Sequence, residues 1–222
     1  MSLSLDLSPQ HLEQLLAETQ LLVLGNVIPL NLFVDLGQLE SELQTYRDAW
    51  IPYLPRADRV NDRQGLALFG LPGDTIRDGV SLPEGRQRAK KMVDELDFNK
   101  PTEIYEHCKS LHGLFDYFGP VGRSFLVKCN QGGWFYPHRD HPQLFRPSMR
   151  IIVFCKNSKG SQYDFILDDR KLDIEEGRAY YINTRLVHRT ISYTPDSIHL
   201  IMNIPVSLEN ASRVLRALQF KH

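Results

Sequence analysis

The chain has 222 residues, 42% of them hydrophobic and 24% charged, which suits one globular domain with a full core. Its 26 basic and 27 acidic residues leave a net charge of −1, so neither a nucleic-acid footprint nor a membrane-surface patch is expected. No stretch approaches the ~20 apolar residues of a spanning helix, MSLSLDLSPQ lacks a signal-peptide pattern, and Cys108, Cys129 and Cys155 form no CxxC, so a reducing cytoplasm is the expectation.

The first 120 residues read as helix-rich. SPQHLEQLLAETQ (8–20) opens with a Ser cap and a Pro in the first turn, and places Leu12, Leu15 and Leu16 on one face. Over 36–50, Leu36, Leu39, Leu43, Tyr46 and Trp50 recur at helical spacing. The stretch 55–90 is polar and rich in Gly and Pro; within it LALFGLPGD suggests a strand and a turn. A third helix is expected over 102–118, capped by Thr102 and stopped by the Gly-Pro at 119–120.

Beyond residue 120 the period changes. RSFLVKC, WFYPHRD, MRIIVFC, YDFILD, RAYYIN, LVHRTISY and IHLIMNI are short apolar or alternating runs, separated by NQGG, KNSKGS, DDR, EEG and TPDS. Many short, evenly spaced strands point to a sandwich or barrel. A last helix, SLENASRVLRALQF, starts at Ser207. The expected organisation over 1–222 is one domain: a helix-rich part (1–120), a β core (121–206) and a terminal helix (207–222).

One run carries chemistry. In GGWFYPHRDHP (132–142), strand alternation puts His138 and Asp140 on one face and Arg139 on the other. An imidazole and a carboxylate side by side are two-thirds of the facial triad that leaves half of an octahedral Fe(II) open. The spacing alone is not specific. His188 follows 50 residues later, on a strand that a rolled-up double sheet can bring close. His141 and His199 compete as ligands; His141 is expected to begin a loop with Pro142. Trp134 and Tyr136 share the expected face of His138, either as pocket lining or as plain core.

In order, RSFLVKCNQGGWFYPHRD, RIIVF, YDFILDDRKLDIEEGRAYYIN, VHRTISY and SIHLIMNIP resemble the aspartyl/asparaginyl β-hydroxylase branch of the iron(II)/2-oxoglutarate-dependent oxygenases. The resemblance runs from residue 123 to 206. It implies a double-stranded β-helix (jelly-roll) core with helices packed outside, and Fe(II) held by His138, Asp140 and His188. It also implies 2-oxoglutarate and O₂ as cosubstrates, and hydroxylation of an amino acid, a peptide side chain or another small polar molecule.

The family commonly places an Arg at the start of the last strand to take the far carboxylate of 2-oxoglutarate. Ser197 stands there in this chain. Arg150, expected on a face with Ile152 and Phe154, is the candidate replacement, as a buried charge needs a partner and a guanidinium grips carboxylates in two-pronged fashion. Ser197 and His199 alternate onto one face and are expected to assist; Lys128, Arg185 and Arg189 are further candidates, the last two for a substrate carboxylate. The rival readings are a jelly-roll metalloenzyme without 2-oxoglutarate and a non-catalytic binding jelly-roll.

Overall fold

The computed structural model describes residues 8–53, 63–73, 79–140 and 147–218; His141 and Pro142 lie outside them. In chain order the elements are α1 (Pro9–Leu24), β1 (Val27–Phe33), α2 (Leu36–Gln44), β2 (Ile51–Pro52), β3 (Arg63–Ala67), β4 (Phe69–Gly70), α3 (Leu82–Ala89), β5 (Lys100–Pro101), α4 (Glu103–His107), α5 (Lys109–Phe118), β6 (Ser124–Cys129), β7 (Trp134–His138), β8 (Ser148–Lys156), β9 (Tyr163–Leu167), β10 (Arg170–Lys171), β11 (Arg178–Ile182), β12 (His188–Ser192), β13 (Ser197–Pro205) and α6 (Leu208–Arg216). No described helix is long and apolar enough to cross a membrane.

Two antiparallel sheets face each other. The major sheet runs β1-β11-β8-β13-β6-β3-β2 and the minor sheet β10-β9-β12-β7. All seven runs read as strands after residue 120 are strands. The major sheet also takes β1, β2 and β3 from the N-terminal part, which is therefore not purely a helical coat. VIPLNLF (27–33) pairs with β11, and a strand this short gains its stability from that neighbour more than from its own sequence.

Alternation along β13 divides the interior in two. Leu200, Met202 and Ile204 face the helices and pack with Leu39 and Leu43 of α2, Leu111 and Phe115 of α5, and Val214 of α6. His199, Ile201 and Asn203 face the other way. Between the sheets lies a second cluster holding Ile152, Phe154, Phe165, Tyr180 and Ile182. Each fully buried Leu or Ile stabilises the fold by about 1.5–3 kcal/mol.

The caps read from the sequence hold. Ser8 Oγ accepts from His11 N, Thr102 Oγ1 from Tyr105 N and Ser207 Oγ from Asn210 N. Several extents differ. Helix α1 buries Ala17 and Leu21, while Leu12, Leu15 and Leu16 are about half exposed. Helix α2 ends at Gln44, short of Trp50. The expected 102–118 helix breaks at Cys108, because the Glu42 carboxylate from α2 accepts from Ser110 N and Ser110 Oγ and so caps α5 as a separate helix. Tertiary contact, invisible in the local pattern, makes that cap.

A buried close approach ties the one-turn helix Glu95–Asp97 to the sheet. Arg123 N donates to Glu95 O at 2.6 Å and Gly122 N to Asn203 O at 2.7 Å. A Cβ at Gly122 would sit 2.4 Å from Glu95 O, so only Gly fits there. Gly122→Ala is expected to destabilise the protein by about 1–3 kcal/mol, read as a lower urea midpoint with an unchanged slope.

Candidate metal centre

Strands β7 and β12 are neighbours in the minor sheet, with His138 directly opposite His188. Their ring centres lie 4.2 Å apart. Asp140 follows β7, and its backbone N–H donates to Thr184 O at 3.0 Å. Ligand atoms of His138, Asp140 and His188 all lie within 4.8 Å of one another. From that span, small side-chain rotations bring three donors to about 2.0–2.2 Å from one divalent ion.

The donors are prepared for a cation. His138 Nδ1 lies 2.7 Å from Tyr136 O and His188 Nδ1 3.0 Å from Leu186 O. A carbonyl only accepts, so each Nδ1 carries a proton and each Nε2 is the nitrogen left to face a metal. Burial pushes the His188 pKa down to about 4 despite the opposing pull of Asp140, so the ring is neutral, as a ligand must be. Two imidazoles and a carboxylate are the donor set of non-haem Fe(II), and these residues fit it.

Asp140 is divided between two neighbours. Its Oδ1 is 3.9 Å from His138 Nε2, on the metal side. Its Oδ2 is 2.9 Å from Arg150 Nη1. Burial alone would raise the Asp140 pKa, but Arg150 and then His188 outweigh it and hold the carboxyl below its usual value. Arg150 reaches Glu95 at 3.8 Å. Glu95 in turn is gripped by Arg123, through Nε to Oε2 and through Nη2 to Oε1 at 3.1 Å. Burial works against the charge on Arg123, and Glu95 more than restores it. Sequence reading missed Glu95 and Arg123. For Arg123 the signal was a charge beside an apolar run, GRSFLV; Glu95 stands among other acids in VDELDF, and nothing local says which charges meet.

The other expected residues are placed as follows. Arg150 shares the inner face with Ile152 and Phe154 and lines a cavity with His138, His188, Phe135, Tyr163 and His199. Ser197 is buried, and its hydroxyl donates to Asn157 O at 2.7 Å and meets Ser192 Oγ at 2.7 Å. His199 packs on Tyr163 and Phe154. Lys128 points outward over the Trp50 ring. Arg185 pairs with Glu18 of α1 at 2.8 Å, and Arg189 is exposed.

Trp134 and Tyr136 do not share the inner face of His138. The register has His188 opposite His138 but Thr190 opposite Phe135, one extra residue on β7. This bulge reverses the alternation, so Phe135 lines the cavity and Trp134 is 43% exposed.

No family model and no curated protein matches the chain. Solved structures do. A Trichoplax adhaerens prolyl hydroxylase, in complex with a hypoxia inducible factor oxygen degradation domain peptide fragment, aligns over 93% of this chain and 97% of its own, with TM-score 0.50 and 11% identity. A Pseudomonas putida prolyl-4-hydroxylase aligns over 86% and 98%, with TM-score 0.47 and 12% identity. KdgF from Halomonas sp. covers 37% and 68%, with TM-score 0.29 and 21% identity. The chain thus has a jelly-roll (double-stranded β-helix) fold, shared with the Trichoplax adhaerens prolyl hydroxylase. At such identities the likeness concerns the fold. Two of these three neighbours are prolyl hydroxylases.

His199 gives a test of the site's interior. Burial pushes its pKa down to about 3 from an ordinary 6.5. The unfolded chain takes up that proton near pH 6.5 and the folded one near 3, so stability falls as pH drops through this window. His199→Phe removes the proton site. Between pH 7 and pH 4.5 the wild type is expected to lose more unfolding free energy than the variant, by about 2 kcal/mol, in urea titrations at both pH values.

Proposed function

We propose that the protein is an Fe(II)/2-oxoglutarate-dependent dioxygenase that hydroxylates an amino acid, a peptide side chain or another small polar molecule. The observation that carries this reading is the convergence of His138, Asp140 and His188 inside a fold shared with prolyl hydroxylases. The aspartyl/asparaginyl-type branch remains part of the proposal on the strength of the sequence resemblance.

When bound, iron with 2-oxoglutarate and O₂ supplies an oxidant: the oxoacid becomes succinate and CO₂, one oxygen atom entering succinate and the other a substrate C–H bond. The chain's own residues prepare for this. His138 and His188 present Nε2 lone pairs from adjacent strands. Arg150 holds Asp140 Oδ2, which turns Oδ1 to the metal and keeps the carboxylate ionised. Phe135 and Phe165 line the cavity beside the histidines and keep it dry, which limits competing oxidation. Substrate contacts at the rim are assigned to Arg189, exposed beside His188, and to Trp134 and Tyr136 on the same edge strand as His138; Arg185 is engaged by Glu18.

The rival reading, a metalloenzyme without 2-oxoglutarate, is favoured by one observation: Ser197, where a cation is usual, carries no charge and has its hydroxyl engaged. Succinate formation separates the two. With Fe(II), 2-oxoglutarate and a panel of amino acids and peptides, succinate is expected to appear in step with hydroxylated product; metal-dependent turnover without succinate would support the rival.

The metal assignment has its own check. His138→Ala, Asp140→Ala and His188→Ala should each weaken Fe(II) binding by about a hundredfold or more while circular dichroism stays native. A variant that keeps full affinity would remove its residue from the triad.

A further inference from the structure

The jelly-roll encloses a guanidinium that the metal centre does not use. Arg63 of β3 is only 6% exposed. Pairing fixes its place: Arg63 lies opposite Cys129 on β6, and Cys129 opposite Ser197 on β13. Residues paired across a sheet share a face, so Arg63 lies in the same lateral row as Ser197, two strands over. Its side chain reaches across to the minor sheet. The guanidinium carbon is 3.7 Å from the Phe135 ring centre and 5.1 Å from that of Tyr53. Phe135 stacks on His138 with ring centres 6.3 Å apart. One aromatic ring thus spans the gap between this cation and the metal-site histidine.

Among the described residues Arg63 makes no ion pair, and its Nε is fully buried without an acceptor. The titratable groups around it are Tyr53, Cys129, Tyr163 and Tyr136, none of them a carboxylate. Ring faces recover roughly 0.5–2 kcal/mol, less than a buried unpaired charge costs. Arg123 and Arg150 differ, since both are paired with acids. One more buried polar atom lacks a partner in the cavity wall, His199 Nε2. Native interiors leave few such groups.

We propose that Arg63 binds the far carboxylate of the 2-oxo dicarboxylate cosubstrate, a role that rests on the oxygenase reading above. The other candidates are committed or uncharged. Arg150 is held by Asp140 and Glu95, Ser197 by Asn157 and Ser192, and His199 is neutral. Four C–C bonds of ~1.5 Å carry the far carboxyl carbon roughly 5 Å from the end that chelates the metal, toward the Phe135 side where the Arg63 guanidinium lies. A guanidinium packed on an aromatic face keeps its edge free for a two-pronged carboxylate contact. The missing last-strand cation is then supplied by a strand outside the 121–206 core.

The experiment uses the full chain loaded with Mn(II), titrated calorimetrically with 2-oxoglutarate and with 2-oxopentanoate, which has a methyl in place of the far carboxylate. Wild type should prefer 2-oxoglutarate by about a hundredfold or more. Arg63→Gln should abolish that preference and leave 2-oxopentanoate and Mn(II) binding unchanged, while Arg63→Lys keeps part of it. Without oxoacid, Arg63→Gln should melt no lower than wild type, since it removes an unpaired buried charge. A variant that melts lower and still prefers 2-oxoglutarate would make Arg63 a structural anchor and overturn the inference, with the oxygenase reading intact. Wild type that binds neither oxoacid, or both equally, would overturn that reading and the inference with it.

Discussion

Four charged side chains form a continuous line, from buried Arg123 and Glu95 through half-buried Arg150 to Asp140 at the candidate metal site. No member is stable there alone. An unpaired ion in such surroundings costs several kcal/mol, so each fixes its neighbour. Arg123 grips Glu95 with two nitrogens, and its third contact is the carbonyl of Val80 at 2.7 Å. Arg150 closes the line on Asp140. The N-terminal part is therefore a structural component of the site: it supplies the carboxylate that holds the guanidinium that orients the metal-side carboxylate.

This line also explains the pattern of protonation. The site brings together a carboxylate that must stay ionised and an imidazole that must stay neutral, at van der Waals range. Arg150 secures the first and burial secures the second. The cation opposite, Arg63, has no ion-pair partner among the described residues, whereas Arg123 and Arg150 are each paired with an acid. A stable fold tolerates such a group at a site where a ligand completes it.

The β7 bulge has a comparable reach. By adding one residue opposite β12, it keeps His138 across from His188 while turning Phe135 inward. Without it, alternation would place Trp134 and Tyr136 in the cavity, and the wall between Arg63 and His138 would be lost. Bulges next to functional sites often re-aim a side chain in this way.

Local pattern was enough for much of this protein. The switch from helical spacing to short strands near residue 120, the caps at Ser8, Thr102 and Ser207, and the His-x-Asp pair with a distant His were all legible, because caps, periodicity and spacing are short-range physics. The inner face of Arg150 followed from alternation alone. What tertiary structure decided were the relations between remote segments: that Glu42 splits the third helix, that β1 and β3 complete the major sheet, that a bulge reverses the face of Trp134, and that Arg150 meets Asp140. Arg63 lies in a polar stretch with no readable period, and its burial depends on β6, β7 and Tyr53 arriving from elsewhere in the chain. Register and long-range pairing carry no local signature, since they are set by which faces the whole fold must bury.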